Sequence, residues 1–173
     1  MVYVGIDQSL TSTAVCIIED NKDPVYHVIV PKITKKMQSL NHERITYHQY
    51  TKTDDITHNI NSICNLIEGI LLLYVGKEMR ISLENVAFAA SGRSLIDLSM
   101  LNGAIRRSFP SIKAFPPTEI KKFFTGNGQA TKDVMVYTWS KLDPIDTKGN
   151  KVDDIADSYA MANLLKTISE TKS

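Results

Sequence analysis

Four carboxylates stand where carboxylates are costly. Asp7 closes an otherwise apolar run, VYVGID, and Glu84 sits inside another, ISLENVAF. Asp154 and Asp157 open an apolar stretch, VDDIADSYAMA. Buried charge is expensive unless it is paired or bound to a metal. Taken singly, each has a plain reading. Asp7 can accept hydrogen bonds in the loop after a strand, Glu84 can lie on an exposed edge, and Asp154 can stabilise a helix start through the dipole. Taken together they suggest chemistry. Asp154 and Asp157 are three apart, so on a helix they share one face with Cβ atoms about 5–6 Å apart. If the Asp7 and Glu84 strands are neighbours, all four acids meet at one end of a sheet. Protons are a poor remedy for their repulsion at neutral pH, whereas hard divalent cations such as Mg²⁺ or Mn²⁺ suit an oxygen-only donor set. Two such ions about 3.5–4 Å apart can activate water and stabilise the leaving oxygen in phosphodiester hydrolysis. Whether Asp153 replaces Asp154 as a donor stays open.

The surrounding pattern supplies elements able to position these acids. Residues 2–7, 13–18 and 25–30 read as three consecutive strands, with Asn21 and Asp23-Pro24 marking the second link. Residues 32–55 are polar and aperiodic and read as a loop or insertion. From Ile56 the apolar period changes to steps of three and four, predicting a helix over 56–74 capped by Asp54 or Asp55. A strand over 80–88 carries Glu84, and helices follow at 94–109, 118–124, 131–142 and 152–168, with a short strand at 112–115. This order predicts one α/β domain over 1–173. Its mixed five-stranded sheet has three antiparallel strands, then parallel ones, with helices on both faces. The small residues Ala156, Ser158 and Ala160 should let the last helix approach the sheet closely.

With 173 residues the chain is long enough for a core of its own. A net charge of +1 neither demands nor excludes nucleic acid, because an acidic centre masks a basic stripe in the total. Lys113, Lys121, Lys122 and Lys132 cluster around a turn that contains Gly126 and Gly128. Lys132 stands at a helix start, where a cation opposes the dipole and a phosphate partner explains it better than stability does. Arg93, Arg106 and Arg107 are further cations within reach of DNA, and Lys35, Lys36 and Arg44 are candidates for arm contacts. None of His27, His42, His48 and His58 shows zinc spacing, and no Walker A loop is present. Cys16 and Cys64 read as buried free thiols, and Trp139 as core or interface. The longest apolar stretch, 70–75, is far too short to span a bilayer, and an intracellular, soluble protein is expected.

In order, the segments GIDQSLTSTAV, SLENVAF, GNGQATK and VDDIADSYAMA resemble the motifs of RuvC-type Holliday junction resolvases, possibly in a phage version. That resemblance implies a ribonuclease H-like fold, a homodimer, and two Mg²⁺ ions held by Asp7, Glu84, Asp154 and Asp157. It implies paired symmetric nicks in a four-way DNA junction, in the cytoplasm of a bacterium or a phage-infected host, with no membrane partner. By the same resemblance Lys121 and Lys132 contact the DNA backbone near the scissile phosphate, where Lys132 neutralises charge, and Lys122, Arg93 and Phe88 are further candidates for contacting DNA. The sequence departs from the family in two places. Gln8-Ser9 stand where Pro-Gly is usual, and Ala87, followed by Phe88, stands where an aromatic residue is usual. Three other readings compete: a ribonuclease H-like nuclease that processes ribosomal RNA, a branched-DNA binding module without cleavage, and one lobe of an actin-like sugar kinase.

Overall fold

The computed structural model describes residues 1–39, 43–86, 92–147 and 150–171. Strands β1 (Val2–Asp7), β2 (Thr13–Glu19) and β3 (Val25–Val30) form an antiparallel meander. On its other side β1 pairs in parallel with β5 (Met79–Glu84), which pairs in parallel with β6 (Lys113–Phe115). Strand β4 (Ile45–Gln49) adds a parallel edge to β3, giving six strands in the order β4-β3-β2-β1-β5-β6.

The sheet therefore has one strand more than the five expected. The sixth falls in the segment read as a loop, which also holds a one-turn helix, α1 (Lys35–Gln38), capped by Thr34. Only Ile45 of β4 is fully buried, so the alternation that announces a strand is nearly absent. Pairing with β3 makes this strand, rather than its own pattern. At the other edge, the strand expected over 80–88 ends at Glu84, and residues 87–91 lie outside the described residues.

Helices cover both faces. Helices α2 (Ile56–Leu72) and α3 (Arg93–Ser108) overlie a core that contains Val4, Ile6, Ile63, Ile67 and Leu101. The opposite face carries α4 (Pro117–Thr125), α5 (Lys132–Leu142) and α6 (Val152–Thr171), packed on Tyr26, Val28, Phe115 and Trp139. Helix α6 runs against β1, β2 and β5 at very short range. A Cβ built on Gly5 of β1 would stand 2.1 Å from the Ser158 carbonyl oxygen and 2.6 Å from the Ala162 nitrogen. Only a residue without a side chain fits there. The buried Ser82 Oγ donates to the Val4 and Met161 carbonyls at 2.9 and 3.2 Å, joining β5, β1 and α6. No described helix is long and apolar enough to cross a membrane.

Candidate active site

The close seating of α6 carries its first two turns past the ends of β1 and β5. Asp7 and Glu84 are the last residues of those strands, and the sheet changes from antiparallel to parallel pairing across β1. Asp7, Glu84, Asp154 and Asp157 consequently line one pocket of about 560 Å³, together with Lys121, Lys132, Lys151 and Asp153.

Contacts from several elements fix the surroundings of Glu84 and Asp154. Two side-chain amides donate to the Glu84 backbone carbonyl, Gln8 Nε2 at 3.0 Å and Asn102 Nδ2 at 3.1 Å, fixing the end of β5 to β1 and α3. The buried Ser12 hydroxyl donates to Asp154 Oδ2, tethering the α6 start to the β1–β2 turn. Lys132 Nζ pairs with Asp153 Oδ2 at 2.9 Å, and Lys151 Nζ lies 4.0 Å from Asp154 Oδ2. Lys132 reaches the pocket because left-handed Gly126 (φ 80°) ends α4 and turns the chain into α5. The far end of α5 is anchored by Trp139, whose Nε1 donates to Tyr26 Oη at 3.0 Å. Tyr26 in turn donates to Asp143, which Arg44 pairs at 2.7 Å. Arg44, considered above for an arm contact, is thus engaged inside the fold, and Trp139 is core.

The electrostatics follow from crowding. Burial first, then the charges of Asp157, Glu84 and Asp154, holds Asp7 well above the usual carboxylate range. Burial and Asp157 push Glu84 up to about 7 against the pull of Lys121 and Lys132. Burial raises Asp157 to about 6, with Lys132 opposing and Asp153 and Asp154 adding. Burial also raises Asp154, against the Ser12 hydrogen bond. Asp153 differs. Burial opposes its ionisation, yet its bond to Lys132 holds it below the ordinary value. Among the described residues no three acidic, histidine or cysteine side chains stand close enough to chelate one ion. The four carboxylates are instead spread around the pocket wall. Their shared burial and their raised proton affinity mark a set that needs positive charge, and its all-oxygen chemistry fits hard divalent cations.

Of the other sequence candidates, Lys121 lines the acidic pocket, while Lys122 is exposed on α4 and does not. Arg93 opens α3 and lines an adjoining cavity, and Phe88 lies outside the described residues. Sequence reasoning missed Ser12 and Lys151. Lys151 carried a signal, since it stands three residues before Asp154. Ser12 carried none, because its partner is 142 residues away.

A mixed sheet in this order, helices on both faces and an acidic pocket at the ends of β1 and β5 define a ribonuclease H-like protein. A family model described as "Crossover junction endodeoxyribonuclease RuvC" matches residues 3–164. The chain is similar to the crossover junction endodeoxyribonuclease RuvC of Campylobacter lari, at 27% identity over 141 residues, 79% of this chain and 84% of that protein. Its fold is similar to that of Thermus thermophilus RuvC, with a TM-score of 0.66 at 14% identity over 99% of this chain and 97% of that one. It is also similar to T. thermophilus RuvC in complex with a Holliday junction substrate, with a TM-score of 0.62 at 15% identity over the same shares. The chain belongs to the RuvC family of crossover junction endodeoxyribonucleases.

Proposed function

We propose that this protein resolves Holliday junctions by paired, symmetric nicks, acting as a homodimer in the cytoplasm of a bacterium or phage-infected host, with residues 1–173 forming one nuclease domain. The observation that carries the reading is the shared pocket of Asp7, Glu84, Asp154 and Asp157, walled by Lys121 and Lys132. Those four carboxylates would hold two Mg²⁺ ions, or Mn²⁺ in their place. Bound there, the cations supply the charge that makes water a nucleophile and stabilises the departing 3′ oxygen. The protein's own groups do the rest. The β1 and β5 ends present Asp7 and Glu84 from a rigid sheet, and α6 presents Asp154 and Asp157 opposite them. Lys132, held by Asp153, and Lys121 set positive charge at the rim, where a phosphodiester would lie. A C2 dimer presents two such sites to a two-fold symmetric junction, and the T. thermophilus RuvC structure with bound Holliday junction supports this substrate.

The test is a nicking assay on a labelled four-way junction, a linear duplex and an RNA–DNA hybrid, in Mg²⁺ or EDTA, alongside Asp157→Asn. The reading requires paired, Mg²⁺-dependent nicks on the junction alone, reduced about 1,000-fold in the variant, as for loss of a principal electrostatic group. Cleavage of the hybrid instead would move the protein to RNA processing. Tight junction binding without cleavage would make it a binding module.

A further inference from the structure

The residue that leads into α6 breaks two local rules at once. Lys151 is the helix N-cap, since its carbonyl accepts from the Ile155 amide at 3.0 Å. Its φ is 51°, in the left-handed region that a side chain makes costly. N-cap positions favour Ser, Thr, Asp, Asn or Gly, and a cation at a helix start opposes the dipole. Glycine at this position would remove both costs. Among the described residues the other non-glycine with such a backbone is Asn21, at φ 61°. It lies in the β2–β3 turn, and asparagine tolerates that conformation.

Stability does not account for the lysine. Its Nζ stops 4.0 Å from Asp154 Oδ2, whereas Lys132 Nζ reaches Asp153 at 2.9 Å. The same Asp154 oxygen already accepts from the Ser12 hydroxyl. That bond opposes the raised proton affinity of Asp154 more than Lys151 does. Asp7, Glu84 and Asp157 are relieved by Lys132, and Glu84 and Asp157 by Lys121 as well.

What Lys151 supplies is a third ammonium in the wall of the acidic pocket. Lys121 comes from α4 and Lys132 from the first residue of α5. Lys151 and Ser12 converge on one oxygen of Asp154, so its charge lies toward the β1–β2 turn. The side chain is 33% exposed, open enough for a ligand to reach it. Strained backbone gathers at functional sites, where the surrounding structure holds it in place. We infer that Lys151 is a further substrate-contacting residue: its ammonium binds a phosphate of the cleaved strand, next to the scissile one and over the β1–β2 turn. The left-handed backbone aims it there. The contact rests on the nuclease reading above, and it adds a third cation to the two that wall the pocket.

The test uses Lys151→Gly and Lys151→Asn, which suit the left-handed backbone without the charge, and Lys151→Arg, which keeps the charge. In Mg²⁺ without DNA, Lys151→Gly should unfold at the wild-type temperature or above it. A lowered Tm would show that the lysine serves stability and would overturn the inference. Junction binding is then measured with each change added to Asp157→Asn, in EDTA, so that the junction stays uncut. Loss of one charged phosphate contact should weaken binding about 10-fold. It should also flatten the slope of log affinity against log salt by about 0.9. Lys151→Gly and Lys151→Asn should behave alike, and Lys151→Arg should match the parent. Finally, a single neutral methylphosphonate is moved through the positions beside the cut. At one position it should weaken the parent about 10-fold and leave the Lys151→Gly protein unchanged. Equal affinity and salt slope in parent and Lys151→Gly, or the same methylphosphonate profile in both, would overturn the contact alone. A parent and wild type that bind no junction would refute the resolvase reading, and the contact with it.

Discussion

Replacing Gly5 by alanine tests the seating that brings the acids together. The added Cβ meets backbone atoms, 2.1 Å from Ser158 O and 2.6 Å from Ala162 N, and 3.1 Å from Met161 Cβ. Ordinary contact begins at 3.4 Å, so α6 must move off β1 by about 1.3 Å at its nearest point. Overpacking of a tight core costs about 1–3 kcal/mol, and a clash with backbone rather than a mobile side chain belongs at the upper end. For a chain of this length about 3 kcal/mol lowers Tm by roughly 6–12 °C. The same movement carries Asp154 and Asp157 away from Asp7 and Glu84. A misplacement of about 1 Å in a catalytic array costs on the order of 100-fold in rate. Gly5→Ala should therefore show both effects, read by thermal unfolding and by junction nicking at 25 °C, where it remains folded. A variant with wild-type Tm would refute the contact between α6 and β1. A lowered Tm with full nicking rate would refute the claim that this contact sets the carboxylate geometry.

Other expectations follow from single contacts. Ser12→Ala frees Asp154 from the β1–β2 turn and should reduce nicking about 10–100-fold at limiting Mg²⁺, as loss of a ligand's supporting hydrogen bond does, with recovery as Mg²⁺ is raised. Asp143→Ala removes the acceptor shared by the Arg44 guanidinium and the Tyr26 hydroxyl and should cost about 3 kcal/mol in urea unfolding, with m unchanged. In EDTA the acidic pocket should make the protein more stable as pH falls. Native Glu84 and Asp157 take up protons near 7 and 6, before their unfolded counterparts do, so their repulsion is relieved between about pH 7.5 and 5. His27 runs the other way, because burial lowers it to about 4 and the unfolded state protonates first. The difference between wild type and Asp157→Asn cancels that contribution. The variant should be the more stable by about 3 kcal/mol at pH 7.5 without metal, and the gap should fall to roughly half of that at pH 5 and vanish near pH 3. Equal stability at both pH values would mean that Asp157 feels no crowding.

Much of the fold was legible because its elements advertise themselves. The three-and-four spacing from Ile56 gave α2 its start within one residue of the Asp55 cap, and the apolar runs at 2–7, 13–18 and 25–30 are the meander. Strand β4 escaped because four of its five side chains are not fully buried, so no pattern sets it apart from the polar segment around it. Within the pocket, the shared face of Asp154 and Asp157 could be read from a spacing of three. The adjacency of β1 and β5 could not, because strand order is a property of the whole chain. Small residues in α6 hinted at it, and Gly5 is their counterpart across the interface. Contacts between distant segments left no trace in spacing: Ser12 with Asp154, Gln8 with the Glu84 carbonyl, and Lys132 with Asp153.

The position of the pocket has its own logic. Strand β1 is antiparallel to β2 and parallel to β5, so beyond Asp7 the chain turns back into β2 while the path beyond β5 leads away toward α3. The divergence leaves a crevice at the strand ends, where ligands bind in open α/β sheets. Two strand-end acids cannot by themselves close that crevice. The glycine in β1 lets α6 come near enough to add two more, and burial with crowding raises the proton affinity of all four. The same crevice widens toward the α2 and α3 starts, where Gln8, Ser9 and Thr11 also border a cavity lined by Lys52, Asp54, Arg93 and Asp97.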